Sequence, residues 1–305
     1  MAKYIGRRLL YSVAVLFVTS IIVFGLSRAA GDPRHIFLTE YSTQADWDAW
    51  GKQYGLDKPF FIQYIIWMGN AARGDFGTSL RDHVNARLVI QERIPATLQL
   101  TVGSFIMAIV VGLPLGVMSA VKRGTLWDYI GRTWALLGQA LPPYWLGVML
   151  VLLFAVVLDW LPSGRKGDWT HYVLPAVTLG WGAASGMLRL TRSAMLEVLD
   201  SEYVKLARAK GVGMNGIIWK HALKNAIIAP LTYSGLLLGG LLTGTVITET
   251  VFSWPGLGRL AVTAVFNNDF PVLTGVVLLV TVIYLTVNLM TDVLYAVIDP
   301  RIRLT

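Results

Sequence analysis

The sequence predicts an all-α, polytopic membrane protein with six transmembrane helices and both termini in the cytoplasm. Three observations predict it. Hydrophobic residues are 55% and charged residues only 14% of the 305, against about 45–50% and about 25% in soluble domains. Six charge-free runs each reach at least eighteen residues, and roughly 20 helical residues cross a hydrocarbon core of about 30 Å. Lys and Arg gather on alternate connections, as the positive-inside bias requires. Isolated strands are excluded, because lipid leaves their backbone polar groups unsatisfied.

The first run, 9–27, follows Lys3, Arg7 and Arg8 and has 19 residues. A cleavable signal has the same flanks but an apolar region of about 7–15 residues, so this run is read as a retained anchor. The segment 29–93 is the long outer connection, balanced at eight basic and eight acidic residues when Arg28 is counted. Within it, 59–72 is apolar but only 14 residues long, which predicts an interfacial or packed segment and no seventh span. Its aromatics (Trp47, Trp50, Tyr54, Phe60, Phe61, Tyr64, Trp67) predict a compact cap over the outer mouth.

The remaining runs are 94–121, 133–158, 169–188, 225–248 and 270–291. Pro114, Pro142, Pro143 and Pro175 are expected to kink these spans without deleting them, since membrane helices tolerate proline. Gly112/Gly116, Gly235/Gly239 and Gly240/Gly244 have the spacing that lets a second helix approach closely. Two such pairs make 225–248 the candidate for a crowded central helix. The side carrying the termini holds fifteen Lys and Arg against five acids, Asp292 set aside; the short connections 159–168 and 249–269 hold three against four. The surplus is an orientation signal and not a nucleic-acid footprint. The expected organisation is an N-terminal region 1–93, a five-helix core 94–298 and a tail 299–305.

Chemistry is sparse. There is no Cys, which excludes disulfides, thiolate metal sites and Cys nucleophiles. His35, His83, His171 and His221 are scattered and make no metal site. Ser185, between small residues in Gly182–Gly186, would suit an intramembrane protease, but no His lies deep in a run, so it reads as a packing residue. Asp292 alone sits in an apolar stretch, within reach of Arg301 or Arg303, whereas ion-coupled carriers place ionisable groups mid-membrane. No phosphate-cradling G-x-x-x-x-G-K-[ST] motif occurs, so an ATP-driven process would need another polypeptide. A stand-alone carrier or channel and an intramembrane protease remain the alternatives to a subunit of a driven transporter.

The longest cytoplasmic connection runs from Arg189 to Lys224. Asp200 is expected to cap a helix over 201–210, with Glu202 in its first turn and Lys205, Arg208 and Lys210 toward its end. Gly211 stands where a left-handed residue would close it. Small Ala207 and Ala209 among cations suit docking into a groove on another protein.

The stretch Glu202-Tyr203-Val204-Lys205-Leu206-Ala207-Arg208-Ala209-Lys210-Gly211, then His221-Ala222-Leu223-Lys224-Asn225-Ala226, resembles the cytoplasmic loop of binding-protein-dependent ABC permeases, dipeptide/oligopeptide/nickel branch. The general family pattern is Glu-Ala-Ala, three residues, Gly, nine residues, Ile-x-Leu-Pro. Ala207, Gly211 and Leu223 fit it, and the departures are those of the peptide branch. Further resemblances are Tyr4-Ile5-x-Arg7-Arg8, Gly31-Asp32-Pro33, Tyr54-Gly55-Leu56-Asp57-x-Pro59, Gly74-Asp75-Phe76-Gly77-x-Ser79 and Arg93-Ile94-Pro95-Ala96-Thr97-Leu98. Trp160-Leu161-Pro162, Leu174-Pro175-Ala176, Thr191-Arg192-Ser193-Ala194-Met195, Pro255-Gly256-Leu257-Gly258 and Asp299-Pro300-Arg301-Ile302-Arg303 continue the series.

The resemblance implies a type I ABC importer permease fold in a bacterial inner membrane. It implies a non-catalytic subunit that pairs with a second, related permease, two cytoplasmic ATPases and an extracytoplasmic solute-binding protein. ATP and magnesium would sit on the ATPases, leaving this chain without a cofactor. Glu202, Tyr203, Ala207, Arg208, Ala209, Gly211, His221 and Leu223 would form the segment that couples to an ATPase. Members of the branch import peptides, nickel chelates, glutathione or some oligosaccharides, and no residue chooses among them.

Overall fold

The computed structural model describes residues 2–29, 34, 38 and 42–298. Gly31-Asp32-Pro33, His35 and the tail 299–305, with Arg301 and Arg303, lie outside the described residues, as do the side chains of Tyr4 and Tyr54. The chain forms two compact units, 1–95 with 256–289 and 96–255 with 290–305.

The first unit contains α1 (Ala2–Ala29), α2 (Gln44–Tyr54), α3 (Phe60–Ala71), the start of α4 (Ala86–Val121), α11 (Leu257–Phe266) and most of α12 (Phe270–Ile298). Thr43 and Asp46 make a reciprocal capping box that starts α2, and Gly55 ends it at φ +63°, the left-handed conformation that glycine adopts without a Cβ clash. At 12 residues, α3 is about 18 Å long, too short to span a membrane. It packs on α1: the Phe24 ring lies 5.4, 5.6 and 5.1 Å from those of Phe60, Tyr64 and Trp67. The hydroxyls of Ser20 and Tyr64 share a hydrogen bond of 2.8 Å.

The Gly74–Ser79 motif has a structural reason. Gly74 and Gly77 take φ of +79° and +90°. The turn they permit lets Ser79 Oγ donate to Asp269 Oδ2 at 2.5 Å, while Val272 N–H donates to Asp269 Oδ1 at 3.3 Å at the start of α12. Ala86, Ile90, Leu257, Ala264, Val272 and Val276 form the apolar core beside this lock.

The second unit holds the rest of α4, then α5 (Leu126–Ala140), α6 (Pro143–Leu150, wound on as a π-helix over Val151–Val157), α7 (Trp169–Leu199) and α8 (Glu202–Ala209). Next come α9 (214–226, π-wound over Ile217–Ala222) and α10 (Ile228–Val251). Helix α7 is central and packs against α5, α6 and α10. Leu100, Ala108, Ala184, Met187, Leu241 and Trp254 are core residues around it.

One expectation is corrected. The run 133–158 is not a kinked single helix: α5 and α6 are bent by 110° at the break between them. Leu141 (ψ 121°) and Pro142 (ψ 136°) are both extended. Each precedes a proline, and the proline Cδ drives the preceding residue out of the helical region. Two prolines in series therefore stop a helix that Pro175, alone inside α7, does not.

Among the described residues, Ile5–Ala29, Ala86–Val121, Ile228–Val251 and Phe270–Val293 are long and apolar enough to cross a membrane, and the bent pair would make a fifth. Helix α7 has the length, at 31 residues, but is not among the apolar spans. Thr178, Gly180, Ser185 and Thr191 lie on its buried side, where protein and not lipid is the neighbour, so its sequence is not bound to be uniformly apolar.

Candidate functional site

Helix α8 divides into two faces. Val204 (0% exposed) and Ala207 (8%) face inward, onto a bed of Val117 and Ala120 from α4, Met195 and Leu199 from α7, and Ile217, Ile218, Ala222 and Ala226 from α9. Leu223 packs at its margin. Tyr203 and Leu206 remain 44% and 57% exposed, and Glu202, Lys205, Arg208 and Ala209 are exposed with them. Periods of three and four residues put each set on its own side. Ala207, which the sequence suggests as a docking contact, is instead part of the seat. A large side chain there would lift the helix from its own core.

The helix ends in a Schellman motif. Gly211 N–H donates to Arg208 O at 2.9 Å and Val212 N–H to Ala207 O at 3.2 Å, with Gly211 at φ +80°. The start differs from the expectation. Asp200 closes α7, and Ser201, extended at ψ 153°, occupies the N-cap of α8 without a side-chain bond to it. A single extended residue between two helices leaves Asp200 no position from which to cap the second. Tyr203 and His221 are brought together: Asn225 Nδ2 donates to the Tyr203 hydroxyl at 3.0 Å and to His221 O at 2.9 Å. Glu202 accepts from Lys205 Nζ at 2.8 Å and holds that ammonium above its ordinary pKa.

Next to this bed lies a buried ion pair. Asp128, 2% exposed, accepts from Arg192 Nε at 2.8 Å, Arg192 Nη2 at 3.2 Å, Ser119 Oγ at 2.8 Å and Gly124 N–H at 3.0 Å. It ties α4, α5 and α7 together. A second buried acid, Glu249, accepts from Thr97 Oγ1 at 2.6 Å, while Trp254 Nε1 donates to Ala96 O at 2.9 Å. Sequence reasoning missed both. Asp128 lies between runs and Glu249 just ends one, so a search for charges inside apolar runs passes over them. The signal was available in Arg192, a cation one turn past the run 169–188.

The candidate packing glycines divide. A Cβ on Gly112 would lie 2.5 Å from Ala184 O, and one on Gly116 2.6 Å from Thr191 Cβ. Gly235 and Gly239 are buried in α10. A Cβ on Gly244 would sit 3.1 Å from Leu179 Cδ1, while one on Gly240 would meet nothing within 4 Å. Ser185 Oγ donates to Trp181 O at 2.9 Å, and a Cβ on Gly138 would overlap that hydroxyl. His171 Nδ1 lies 3.1 Å from Asp168 Oδ1. Among the described residues no three of His, Asp and Glu are grouped as a metal site would need.

Residues 112–304 match the family of binding-protein-dependent transport system inner membrane components, and residues 1–101 match the N-terminal part of such components. The chain is 37% identical to the oligopeptide transport system permease protein AppB of Bacillus subtilis (strain 168), covering 99% of this chain and 100% of the relative. It is 38% identical to the glutathione transport system permease protein GsiC of Escherichia coli (strain K12), covering 99% of each. A chain of the inward-facing MetNI methionine ABC transporter superposes with a TM-score of 0.59 at 21% identity, covering 70% of this chain and 97% of that one. An amino acid ABC transporter chain gives 0.53 at 15% identity, covering 70% and 94%.

Proposed function

Because the chain belongs to the family of binding-protein-dependent transport system inner membrane components, and is a permease subunit of an ABC importer, we propose that it forms half of a translocation pathway for peptides or a related small solute. The substrate class follows the relatives, one named for oligopeptides and one for glutathione. A second, related permease supplies the other half. Two cytoplasmic ATPases bind ATP and magnesium, and an extracytoplasmic binding protein delivers the solute. The protein sits in a bacterial inner membrane with six spans, α7 among them, and both termini inside.

The observation that carries the coupling role is the division of α8. Its inner face is seated in the chain's own core, while Tyr203 and Leu206 present apolar surface outward between Glu202, Lys205 and Arg208. A short helix built this way transmits force: the seat joins it to the ends of α4 and α7, and the outer face is left for a partner's groove. Closure of the ATPases on ATP would then move α4 and α7 through that seat.

The test is uptake and ATPase activity of the assembled transporter in vesicles, with expression matched. Leu206→Asp and Tyr203→Ala should leave the chain folded and lower solute uptake at least tenfold. Transport at the parent's rate in both would remove α8 from the coupling role.

A further inference from the structure

The α4–α5 turn and the outward side of α5 form a surface that the coupling role does not use. At about 100° per residue, Asp128, Gly131, Ala135 and Gly138 fall on one side of α5, and these are its buried residues. Leu126 (72% exposed), Ile130 (42%) and Leu137 (45%) fall on the other. Two cation–aromatic pairs flank this apolar strip: Lys122 Nζ lies 5.4 Å from the Trp127 ring centre and Arg132 Cζ 5.9 Å from that of Tyr129. Arg123 is exposed beside them.

Charge is uncompensated here. Asp128 is the only acid between Arg93 and Leu158, and it is turned inward onto Arg192 and Ser119. Among the described residues, Lys122, Arg123 and Arg132 form no ion pair. Apolar side chains and amphipathic aromatics along about 17 Å of helix axis from Leu126 to Leu137, with unopposed cations beside them, match the acyl chains, glycerol level and headgroup of one lipid.

We propose that this surface is a binding site for a single anionic phospholipid. Lys122, Arg123 and Arg132 hold its headgroup, Trp127 and Tyr129 lie at the interface, and the acyl chains run over Leu126, Ile130 and Leu137. A zwitterionic lipid presents an ammonium to the same cations and is disfavoured. The site does not depend on which solute is transported.

Native mass spectrometry of the purified full chain tests this, by titrating phosphatidylglycerol against phosphatidylcholine with the same acyl chains. Phosphatidylglycerol should bind about tenfold more tightly at low salt, a modest sum for three surface cations. Lys122→Gln/Arg123→Gln and, separately, Arg132→Gln should each reduce that preference severalfold. Arg165→Gln/Lys166→Gln, which removes two cations from another connection, should leave it intact. Equal binding of the two lipids would overturn the site. So would an equal loss in the Arg165/Lys166 variant, which would mean that total charge alone attracts the lipid.

Discussion

Two segments are anchored on the C-terminal ends of α4 and α7 by opposite means. The α4–α5 turn is held by one buried ion pair, Asp128–Arg192, with Ser119 and Gly124 completing the carboxylate's bonds. Helix α8 is held by apolar side chains spread over three helices. An ion pair is directional and fails as a unit, because removing one partner leaves the other buried and charged. An apolar seat is divisible and loses stability one side chain at a time. The rigid joint therefore sits at the turn, and the joint with a graded response sits beneath the helix proposed to meet the ATPase.

The largest effect is expected at the ion pair. Asp128→Ala should lower the unfolding free energy in mild detergent by about 3 kcal/mol, the low end for a buried pair, because Arg192 keeps 23% of its side chain exposed. Asp128→Leu/Arg192→Met should recover most of that loss. If the double variant is as unstable as the single one, the pair is not the anchor.

Val204→Ala, in the seat, should cost about 2 kcal/mol through the cavity it leaves, with uptake falling in parallel. Gly211→Val should cost about 1–2 kcal/mol, since φ +80° forces a Cβ toward the carbonyl. Gly211→Ala should fall between it and the parent on the same unfolding curve. Leu206→Ala, on the outer face, should change stability by less than about 0.5 kcal/mol while lowering coupled ATPase activity. A stability loss equal to that of Val204→Ala would show that the two faces are not distinct.

The smallest effect separates an exposed acid from the buried one. Asp168 caps α7 by accepting from Thr170 Oγ1 and N–H, and His171 adds a further contact; together these hold its pKa down to about 2. A depressed pKa contributes stability that is full above the ordinary carboxylate value and is lost as pH falls from about 4 toward 2. Asp168→Asn should therefore sit slightly below the parent at neutral pH and converge with it as pH falls toward 2, flattening that part of the acid unfolding profile; an acid limb as steep as the parent's would remove Asp168 from it.

The motifs around Gly74, Gly211 and Pro142 show how far the sequence reached. A glycine after Lys210 announced a left-handed closure because that conformation needs only the local chain, and Gly211 has it. Two consecutive prolines announced a distortion on the same local grounds. Its size, 110°, depends on two residues in succession being extended, which a single-proline rule understates. The role of Ser79 was invisible: its partner, Asp269, is 190 residues away.

Composition and the apolar runs determined, by themselves, that this is a helical membrane protein, and the motif series identified the permease family. Both follow from terms that act locally: transfer of a run of side chains into lipid, and the backbone preferences of glycine and proline. Tertiary structure alone decided which face of α8 is covered, that Asp128 meets Arg192 across 64 residues and that Thr97 meets Glu249 across 152. Those pairings depend on how helices distant in sequence are brought together. A charge or a small residue has the same local preferences whichever neighbour it finally meets.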